Sequence, residues 1–299
     1  MRHLLFACAV TLGTALAPAQ GTEWVTNGSF TGSLAPWVMG GGFSVNSGHE
    51  VGWDTTGMGA SDSYGTQAGG QVTPAPYPPN WVEQSVLVLQ GMTYEFRCDA
   101  CGARPINPGV GNADTGTVWV EVDNVEIARH AFGAYNIGFT KRAQLCGRFT
   151  PITTGNVTLR IYTQRAYLAN SNTPRINIDN VTLKDAYGPT FWVAGNRQIG
   201  SQVTHKVRGS ANAVFATFAA LGENAAGISF PGVGGLFYLD PPTTVTLSIG
   251  VLDPAGESDV TTTIPNDPLF VTYPLFYQAG ASDAAGIALG YHFGIVATL

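Results

Sequence analysis

Apolar and polar residues alternate with a period of two along most of the chain. In Thr117 to Val122, three valines alternate with Trp119 and Glu121. Because successive side chains of a strand point to opposite faces, this pattern predicts a half-buried β-strand. Asp123-Asn124 follows as a two-residue hairpin turn into a second strand, Val125 to Ala131.

The same alternation predicts strands elsewhere, while few segments show the apolar spacing of an amphipathic helix. The further predicted strands are Trp81 to Leu89, Thr93 to Ala100, Thr140 to Phe149, Asn156 to Thr163, Ile176 to Leu183, Gln202 to Val207, Ala213 to Phe218, Leu236 to Leu239, Thr243 to Leu252, Glu257 to Ile264, Leu269 to Ser282 and Ile287 to Leu299. Between Met39 and Asn80 the chain is instead rich in Gly, Ser, Thr and Pro, which indicates either short strands or a functional loop.

The pattern pauses at Lys184 to Pro189, which we interpret as a domain junction. The chain is long enough to bury two cores. We therefore predict an all-β protein, with an N-terminal β-sandwich over residues 20–186 and a second, smaller antiparallel β-sandwich over residues 187–299.

Composition supports this class. Only 11% of the residues are charged, and there are 38 glycines and 18 prolines, a mixture that favours strands and turns over helices. The formal net charge of −6 and the scarcity of lysine exclude nucleic acid as a partner, since neutralising phosphates requires clustered basic residues.

The first nineteen residues have the form of an export signal. An uncharged run from Leu4 to Ala17 ends in Ala17-Pro18-Ala19, which predicts cleavage after Ala19. The run is shorter than the roughly 20 residues that a membrane-spanning helix needs. We expect a secreted, extracellular protein that does not span the membrane, and a location on the cell surface remains open.

Removal of the signal would leave three cysteines in an oxidising compartment, where disulfides form. Cys98 shares its predicted strand face with Tyr94 and Phe96, whereas Cys101 and Cys146 fall on the opposite face. This parity favours a Cys101–Cys146 disulfide over the local Cys98–Cys101 pair.

Four segments within residues 23–184 resemble the CBM 4/9-like carbohydrate-binding modules of the galactose-binding-like fold. They are Asn27-Gly28-Ser29-Phe30 with Trp37, Gln84 to Phe96, Trp119 to Asn124 and Ile178 to Leu183, in the order of that family. The resemblance implies that the first sandwich is a jelly roll and that its ligand is a polysaccharide or glycoconjugate.

The resemblance also implies a structural Ca²⁺ between the opening segment and Asp179. Ser29 and Thr31 stand where that family has acidic residues, which removes two oxygen ligands of the kind that calcium prefers, although backbone carbonyls could replace them. The alternative is that Asp179 caps a turn, and both interpretations stay open.

A second resemblance concerns residues 187–299. Ile264-Pro265-Asn266-Asp267-Pro268-Leu269, followed by Leu275 to Ala279, resembles a β-rich C-terminal "IPNDP" domain of secreted bacterial proteins. The two prolines predict a rigid turn, and no activity is implied.

Candidate ligand contacts lie opposite the buried valines of the predicted strands. An aromatic ring beside planar polar groups is the usual arrangement for binding a sugar. We expect six such residues to share one exposed sheet face: Glu95, Arg97, Trp119, Glu121, Arg160 and Tyr162. The alternative is that Trp119 and Tyr162 pack against the second sandwich or a covering loop. Tyr64, Tyr77 and Trp81 form a second candidate set at a loop edge.

Catalytic motifs are not evident in the sequence. Glu121 and Glu126 could pair as in a glycosidase, but they flank a hairpin turn, and His130 and His205 have no nucleophile at a recognisable spacing. We therefore predict a secreted, non-catalytic, carbohydrate-binding-like protein. A structural or adhesive protein without a sugar ligand is the main alternative, and a glycoside hydrolase is the third.

Overall fold

The computed structural model describes residues 21–42, 44–68, 78–103, 114–134, 140–165 and 174–298. Within these ranges the chain forms strands and two short 3₁₀ helices, Pro241–Thr243 and Pro268–Val271, and no α-helix, so the all-β prediction is confirmed. None of the helices in the described ranges is long and apolar enough to cross a membrane. The predicted export signal lies outside the described residues.

The first ten strands form two five-stranded sheets. The strands are β1 (Val38–Gly41), β2 (Ser44–Trp53), β3 (Ser61–Ala68), β4 (Asn80–Val88), β5 (Tyr94–Ala103), β6 (Thr117–Val122), β7 (Val125–Ala131), β8 (Thr140–Phe149), β9 (Gly155–Gln164) and β10 (Arg175–Asp185). The front sheet has the order β1-β4-β9-β6-β7, and the back sheet has the order β2-β3-β10-β5-β8. We call this pair of sheets the first sandwich.

The core of the first sandwich lies between these two sheets. Val82, Val120 and Ile161 of the front sheet and Phe96 and Ile178 of the back sheet are fully buried there. Because side chains alternate along each strand, the intervening residues are directed to the two outer faces. Burial of the apolar half of each strand is therefore what fixes which residues these outer faces carry.

The hairpin between β6 and β7 follows the predicted chemistry. Asp123 and Asn124 have φ angles of 47° and 67°, the left-handed conformation that a two-residue type I′ turn requires. The Asp123 carboxylate also accepts a hydrogen bond of 2.8 Å from the backbone N–H of Thr158. The turn is thus tied to β9, the neighbouring strand of the front sheet.

The remaining strands form a second sandwich. They are β11 (Thr190–Ala194), β12 (Gln202–Arg208), β13 (Val214–Ala220), β14 (Glu223–Ile228), β15 (Val233–Gly234), β16 (Phe237–Leu239), β17 (Val245–Val251), β18 (Glu257–Thr263), β19 (Leu275–Asp283), β20 (Gly286–Leu289) and β21 (Phe293–Ile295). Sheet β11-β12-β18 packs over sheet β15-β20-β19-β13-β17, in which β21 also pairs with β19, and β14-β16 is a separate hairpin. The pairing of β15 with β20 is parallel.

The second sandwich has a core of its own, in which Phe191, Phe215, Tyr277 and Phe293 are buried. The two cores lie on either side of the predicted boundary at residue 187. The division into domains stays a prediction, because the sandwiches also contact each other through β8 and β11.

Three segments differ from the sequence prediction. Met39 to Asn80 contains the long strands β2 and β3, and the segment predicted as a strand from Leu269 begins in a 3₁₀ helix. The single strand predicted from Ile287 is broken into β20 and β21. Gly290 lies at this break, where its N–H donates to the Ala279 carbonyl and an added Cβ would lie 1.9 Å from the carbonyl oxygen of a neighbouring proline.

Candidate functional site

The outer face of the front sheet carries three aromatic side chains in one line across the strands. Trp81 of β4 lies opposite Tyr162 of β9, and Tyr162 lies opposite Trp119 of β6. One position further along, Glu83, Arg160 and Glu121 lie opposite one another in the same order. We call the first set the aromatic row and the second set the charged row.

The aromatic row is a continuous stack that includes two guanidinium groups. The Trp119 and Tyr162 rings are nearly parallel, with centroids 4.7 Å apart. Arg160 Cζ lies 4.7 Å from the Trp81 ring centroid and 5.6 Å from that of Tyr162. Arg129 Cζ lies 4.9 Å from the Trp119 ring. Such stacked and cation–π contacts contribute about 0.5–1.5 kcal/mol each, so they hold the side chains in fixed positions.

Hydrogen bonds join the two rows. Arg160 donates from Nε to a Glu83 carboxylate oxygen and from Nη1 to the Tyr162 hydroxyl, the latter over 2.9 Å. Trp119 Nε1 donates to Glu121 Oε1 over 3.0 Å. The hydrogen bond to Tyr162 is the main factor that raises the pKa of Arg160, with a further contribution from Glu83. The surface therefore combines fixed rings with fixed donors and acceptors.

The ring faces are already occupied within the protein. Tyr162 and Arg129 cover the two faces of Trp119, which is only 8% exposed. Trp81 lies over Gly40 of β1, where a Cβ would come within 2.3 Å of the ring, and its other contact is Arg160. A ligand at this surface would meet ring edges, guanidinium N–H groups and carboxylates rather than an open ring face.

A small polar recess continues the charged row. It has a volume of about 90 Å³ and is lined by Glu121, Asp123, Asn124, Thr158 and Arg160. The recess thus combines carboxylate, amide, hydroxyl and guanidinium groups beside the aromatic row. These are the group types that hydrogen-bond sugar hydroxyls.

Four of the six predicted ligand residues converge on this face, and two do not. The expectation that Glu95 and Arg97 share it is wrong, because both are on β5 of the back sheet. Alternation shows that a side chain points outward, but it does not show from which of the two sheets. In this sandwich β5 and β6 belong to opposite sheets, although they are consecutive in the chain.

The outer face of the back sheet is covered by the second sandwich. Glu95 accepts a hydrogen bond from the Thr190 hydroxyl, and Arg97 Cζ lies 5.0 Å from the Phe293 ring. Asp99 forms an ion pair with Arg197 over 3.5 Å. Burial raises the pKa of Asp99 even though the arginine opposes this effect. Covering by the second sandwich, which we considered for Trp119 and Tyr162, is therefore observed for Glu95 and Arg97.

Two cavities lie where the sandwiches meet. One of about 350 Å³ is lined by Glu95, Arg97, Lys184, Tyr291 and Phe293, among others. A larger groove of about 1160 Å³ includes Arg148, Tyr187 and Trp192. No residue of the aromatic or charged row lines either cavity. The largest cavity is thus separate from the surface that the sequence chemistry predicts.

The predicted Cys101–Cys146 disulfide is wrong, since Cys98, Cys101 and Cys146 are all free and buried. Parity did place Cys101 and Cys146 on the same face. In the register of β5 with β8, however, Cys146 lies opposite Arg97, four positions along the strand from Cys101. Four residues of strand correspond to about 13 Å, well beyond the 7 Å that a disulfide tolerates.

The surroundings of Asp179 do not fit the implied calcium site. One carboxylate oxygen accepts hydrogen bonds from the Ser61 and Thr55 hydroxyls, and the other accepts from the Asn180 N–H over 2.6 Å. Ser29 and Thr31 bond to each other over 2.9 Å. No cluster of three or more acidic, histidine or cysteine residues occurs in the described part of the chain, whereas Ca²⁺ takes six to eight oxygen ligands. The turn-capping interpretation accounts for the contacts of Asp179.

The other candidate residues have structural partners. Glu126 forms a two-pronged ion pair with Arg129, which lowers the pKa of the glutamate. His130 Nε2 lies 3.0 Å from Asn196 Oδ1, and His205 packs against the rings of Phe191 and Tyr277. Absence of catalysis stays a prediction.

Sequence reasoning assigned Trp81 to a different set and overlooked Glu83. The signal was present, since Val82 and Val86 were predicted to face inward and their odd-numbered neighbours must then face outward. Of the second candidate set, Tyr64 is fully buried in the core, and Tyr77 lies outside the described residues.

Comparison with known proteins gives only distant similarity. No protein-family model matches the chain, and no curated protein is significantly similar in sequence. Among solved structures, TmCBM61 in complex with β-1,4-galactotriose is 12% identical with a TM-score of 0.32, covering 55% of this chain and 99% of that one. The adhesin domain of Epf from Streptococcus pyogenes is 9% identical with a TM-score of 0.29, covering 84% and 79%.

A third similar structure is a GH2 β-galacturonidase from Eisenbergiella tayi bound to galacturonate. It is 10% identical with a TM-score of 0.29, covering 87% of this chain but only 43% of the enzyme. Carbohydrate-binding modules, adhesins and glycosidases thus all occur among the similar structures. At these TM-scores the likeness carries no argument about function.

Proposed function

We propose that this chain is a secreted, non-catalytic carbohydrate-binding protein that contacts an extracellular glycan through the outer face of its front sheet. The observation that carries the proposal is the alignment of the aromatic row beside the charged row on the one large sheet face of the first sandwich that the second sandwich leaves open. Both rows are held in place by stacking and hydrogen bonds, so little ordering is needed when a ligand binds.

The dimensions of this surface suit an extended ligand. The strands from β4 to β7 span three strand spacings, or about 14 Å, and a chain lying across them would meet a ring or a charged group at each strand. Carboxylates and guanidinium groups supply acceptors and donors for hydroxyls, while the ring edges supply apolar contact. Because Arg160 and Glu83 neutralise each other, the surface favours an uncharged polysaccharide.

One observation favours the alternative of a structural or adhesive protein without a sugar ligand. Arg160 and Arg129 occupy ring faces that would otherwise be free to stack on a pyranose. In that case the aromatic row would stabilise the sheet and would not recognise a ligand. The two functions differ in whether any glycan binds.

A glycan array with the mature protein, followed by titration calorimetry on the best oligosaccharide, tests the proposal. Trp81→Ala removes one end of the aromatic row and should weaken binding at least about tenfold, or about 1.4 kcal/mol. Leu87→Ala is the matched control, because Leu87 is exposed on the same strand and face but lies away from both rows.

Two outcomes would count against the proposal. If no polysaccharide binds, with or without calcium, the structural or adhesive alternative is favoured. If Leu87→Ala weakens binding as much as Trp81→Ala does, the ligand is bound at a place other than the aromatic row.

A further inference from the structure

An uncharged apolar surface covers part of the second sandwich. Six side chains on it each expose between 40% and 73% of their area. They are Val214 of β13, Val245, Leu247, Ile249 and Val251 of β17 and Ile287 of β20. We call these six residues the apolar patch.

Most of the apolar patch lies on the outer face of one sheet, opposite the core. Val251 lies opposite Val214, which lies opposite Ser282 of β19, which in turn lies opposite Ile287. In the next row, Ile249 lies opposite Ala216. The neighbouring residue Phe215, of opposite parity, is buried in the core of the second sandwich. The patch is therefore a continuous surface across four strands, in addition to the core-facing side of the same sheet.

Charge is missing from this surface. Strands β13, β17 and β20 contain no acidic or basic residue. The opposite sheet differs, since β12 and β18 carry ion pairs of Lys206 and Arg208 with Asp259. Natural proteins usually protect exposed sheet surfaces and edges with such charges. The apolar patch lacks this protection.

The edge of the sheet next to the patch is also open. Strand β17 is the last strand of its sheet, and among the described residues it pairs only with β13. Its outer backbone N–H and C=O groups are thus available to another strand. A bulge between Thr217 and Phe218 in this pairing adds local twist but leaves the edge uncovered.

We propose that the apolar patch is a homodimer interface, in which it packs against the same patch of a second copy across a two-fold axis. A two-fold contact buries one patch on both partners, so its surface must be complementary to itself. An uncharged aliphatic surface meets this condition, since no like charges are brought together. A foreign partner would be expected to require charged or hydrogen-bonding groups for specificity, and the patch offers few of these.

The size of the surface is sufficient for a stable contact. The largest apolar patch on a typical monomer is about 300–600 Å² and is often functional. With Leu221 and Phe230, which are exposed at its margin, burial of the patch and its backbone would reach on the order of 800 Å² per copy, the standard size for a specific interface. The inference does not depend on glycan binding, because the patch belongs to the second sandwich and the aromatic row to the first.

Sedimentation velocity and light scattering on the full mature protein test the proposal. The wild type should have the mass of two chains over most of the concentration range. Ile249→Lys places a charge at the most exposed position of the patch and should raise the dimer dissociation constant at least about tenfold. Val51→Lys is the matched control, because Val51 is 74% exposed, close to the 73% of Ile249, and lies on β2 of the first sandwich.

Each alternative outcome contradicts the homodimer. A wild type that stays monomeric at the highest concentration measured overturns it, and so does an equal effect of Val51→Lys. A mass that keeps growing with concentration would indicate an open assembly instead of a closed pair. Circular dichroism melting of both variants shows that they are folded, and Ile249→Thr, which adds no charge, should weaken the dimer by a smaller factor.

Discussion

The two outer faces of the first sandwich have similar residues and different surroundings. On the front sheet, Glu83 and Arg160 form an ion pair that is partly exposed, beside rings that no other part of the described chain covers. On the back sheet, Glu95 and Arg97 form an ion pair that is almost fully buried beneath the second sandwich. A pair of the same charges thus borders an open surface on one side and forms part of an internal contact on the other.

This difference determines what each pair contributes. Exposed ion pairs are weakened by solvent and contribute about 0–1 kcal/mol. Removing one partner of a buried pair leaves an uncompensated charge and costs about 3–5 kcal/mol. We therefore expect the back face to matter for stability and the front face to be available for a ligand.

The largest effect is expected for Arg97→Met, which should lower the free energy of unfolding by about 3–5 kcal/mol in urea denaturation, because it leaves the Glu95 carboxylate buried without its cation. Adding Glu95→Gln to this variant should restore part of the loss. If Arg97→Met is as stable as the wild type, the second sandwich does not cover this face in solution.

The second effect concerns the seam between the sandwiches, where His130 contacts Asn196. Burial lowers the pKa of His130 from 6.5 to about 4. The unfolded chain then binds the proton first as the pH falls, so stability is unaffected above about pH 6.5 and is lost between pH 6.5 and 4. The loss from this group should reach about 3 kcal/mol.

His130→Gln, compared with the wild type by denaturation at several pH values, isolates this term. The wild type should lose more stability than the variant on going from pH 7 to pH 4. Asp99 and Asp179, whose pKa values are raised mainly by burial, act in the opposite direction in both proteins and cancel in the difference. Parallel pH profiles would show that His130 is exposed to solvent and that the seam is open.

A smaller effect is expected on the open face. Arg160→Met removes the partner of Glu83 and should cost about 1 kcal/mol or less, because water can solvate the remaining carboxylate. The same variant should weaken glycan binding, since Arg160 contacts both Trp81 and Tyr162. A loss of stability comparable to that of Arg97→Met would remove the distinction between the two faces.

The thiols sharpen the comparison without changing stability. Burial raises the pKa of Cys101 and Cys146 to about 12, so very little thiolate is present at pH 8. We expect a thiol reagent to label Cys98, Cys101 and Cys146 only after unfolding, as measured by mass spectrometry. Recovery of a disulfide-linked peptide from a non-reducing digest would contradict the register of β5 with β8.

Local pattern was enough to predict many of the strands. Thr117 to Val122 and Val125 to Ala131 were predicted with the bounds that β6 and β7 have, because alternation and the Asp123-Asn124 turn are local properties. Strands β2 and β3 were not predicted. Their sequences are rich in Gly and Ser, and they are held by pairing with each other and with β10, which no local pattern reveals.

The candidate site was predicted in part for the same reason. Parity correctly placed Trp119, Glu121, Arg160 and Tyr162 on the outside of their strands, and these strands are neighbours. Assigning Glu95 and Arg97 to this face required knowledge of sheet membership, which is set by long-range pairing. That the back face would be covered depended on contacts between residues about 100 positions apart, such as Glu95 with Thr190.

Oxidative footprinting of the wild-type protein, with and without the best glycan from the array, tests the central claim most directly. Mass spectrometry would report the oxidation of each aromatic side chain. The account predicts that the glycan protects Trp81 and Tyr162 and leaves Trp192, in the groove between the sandwiches, unchanged. Protection of Trp192 with no change at Trp81 and Tyr162 would contradict it.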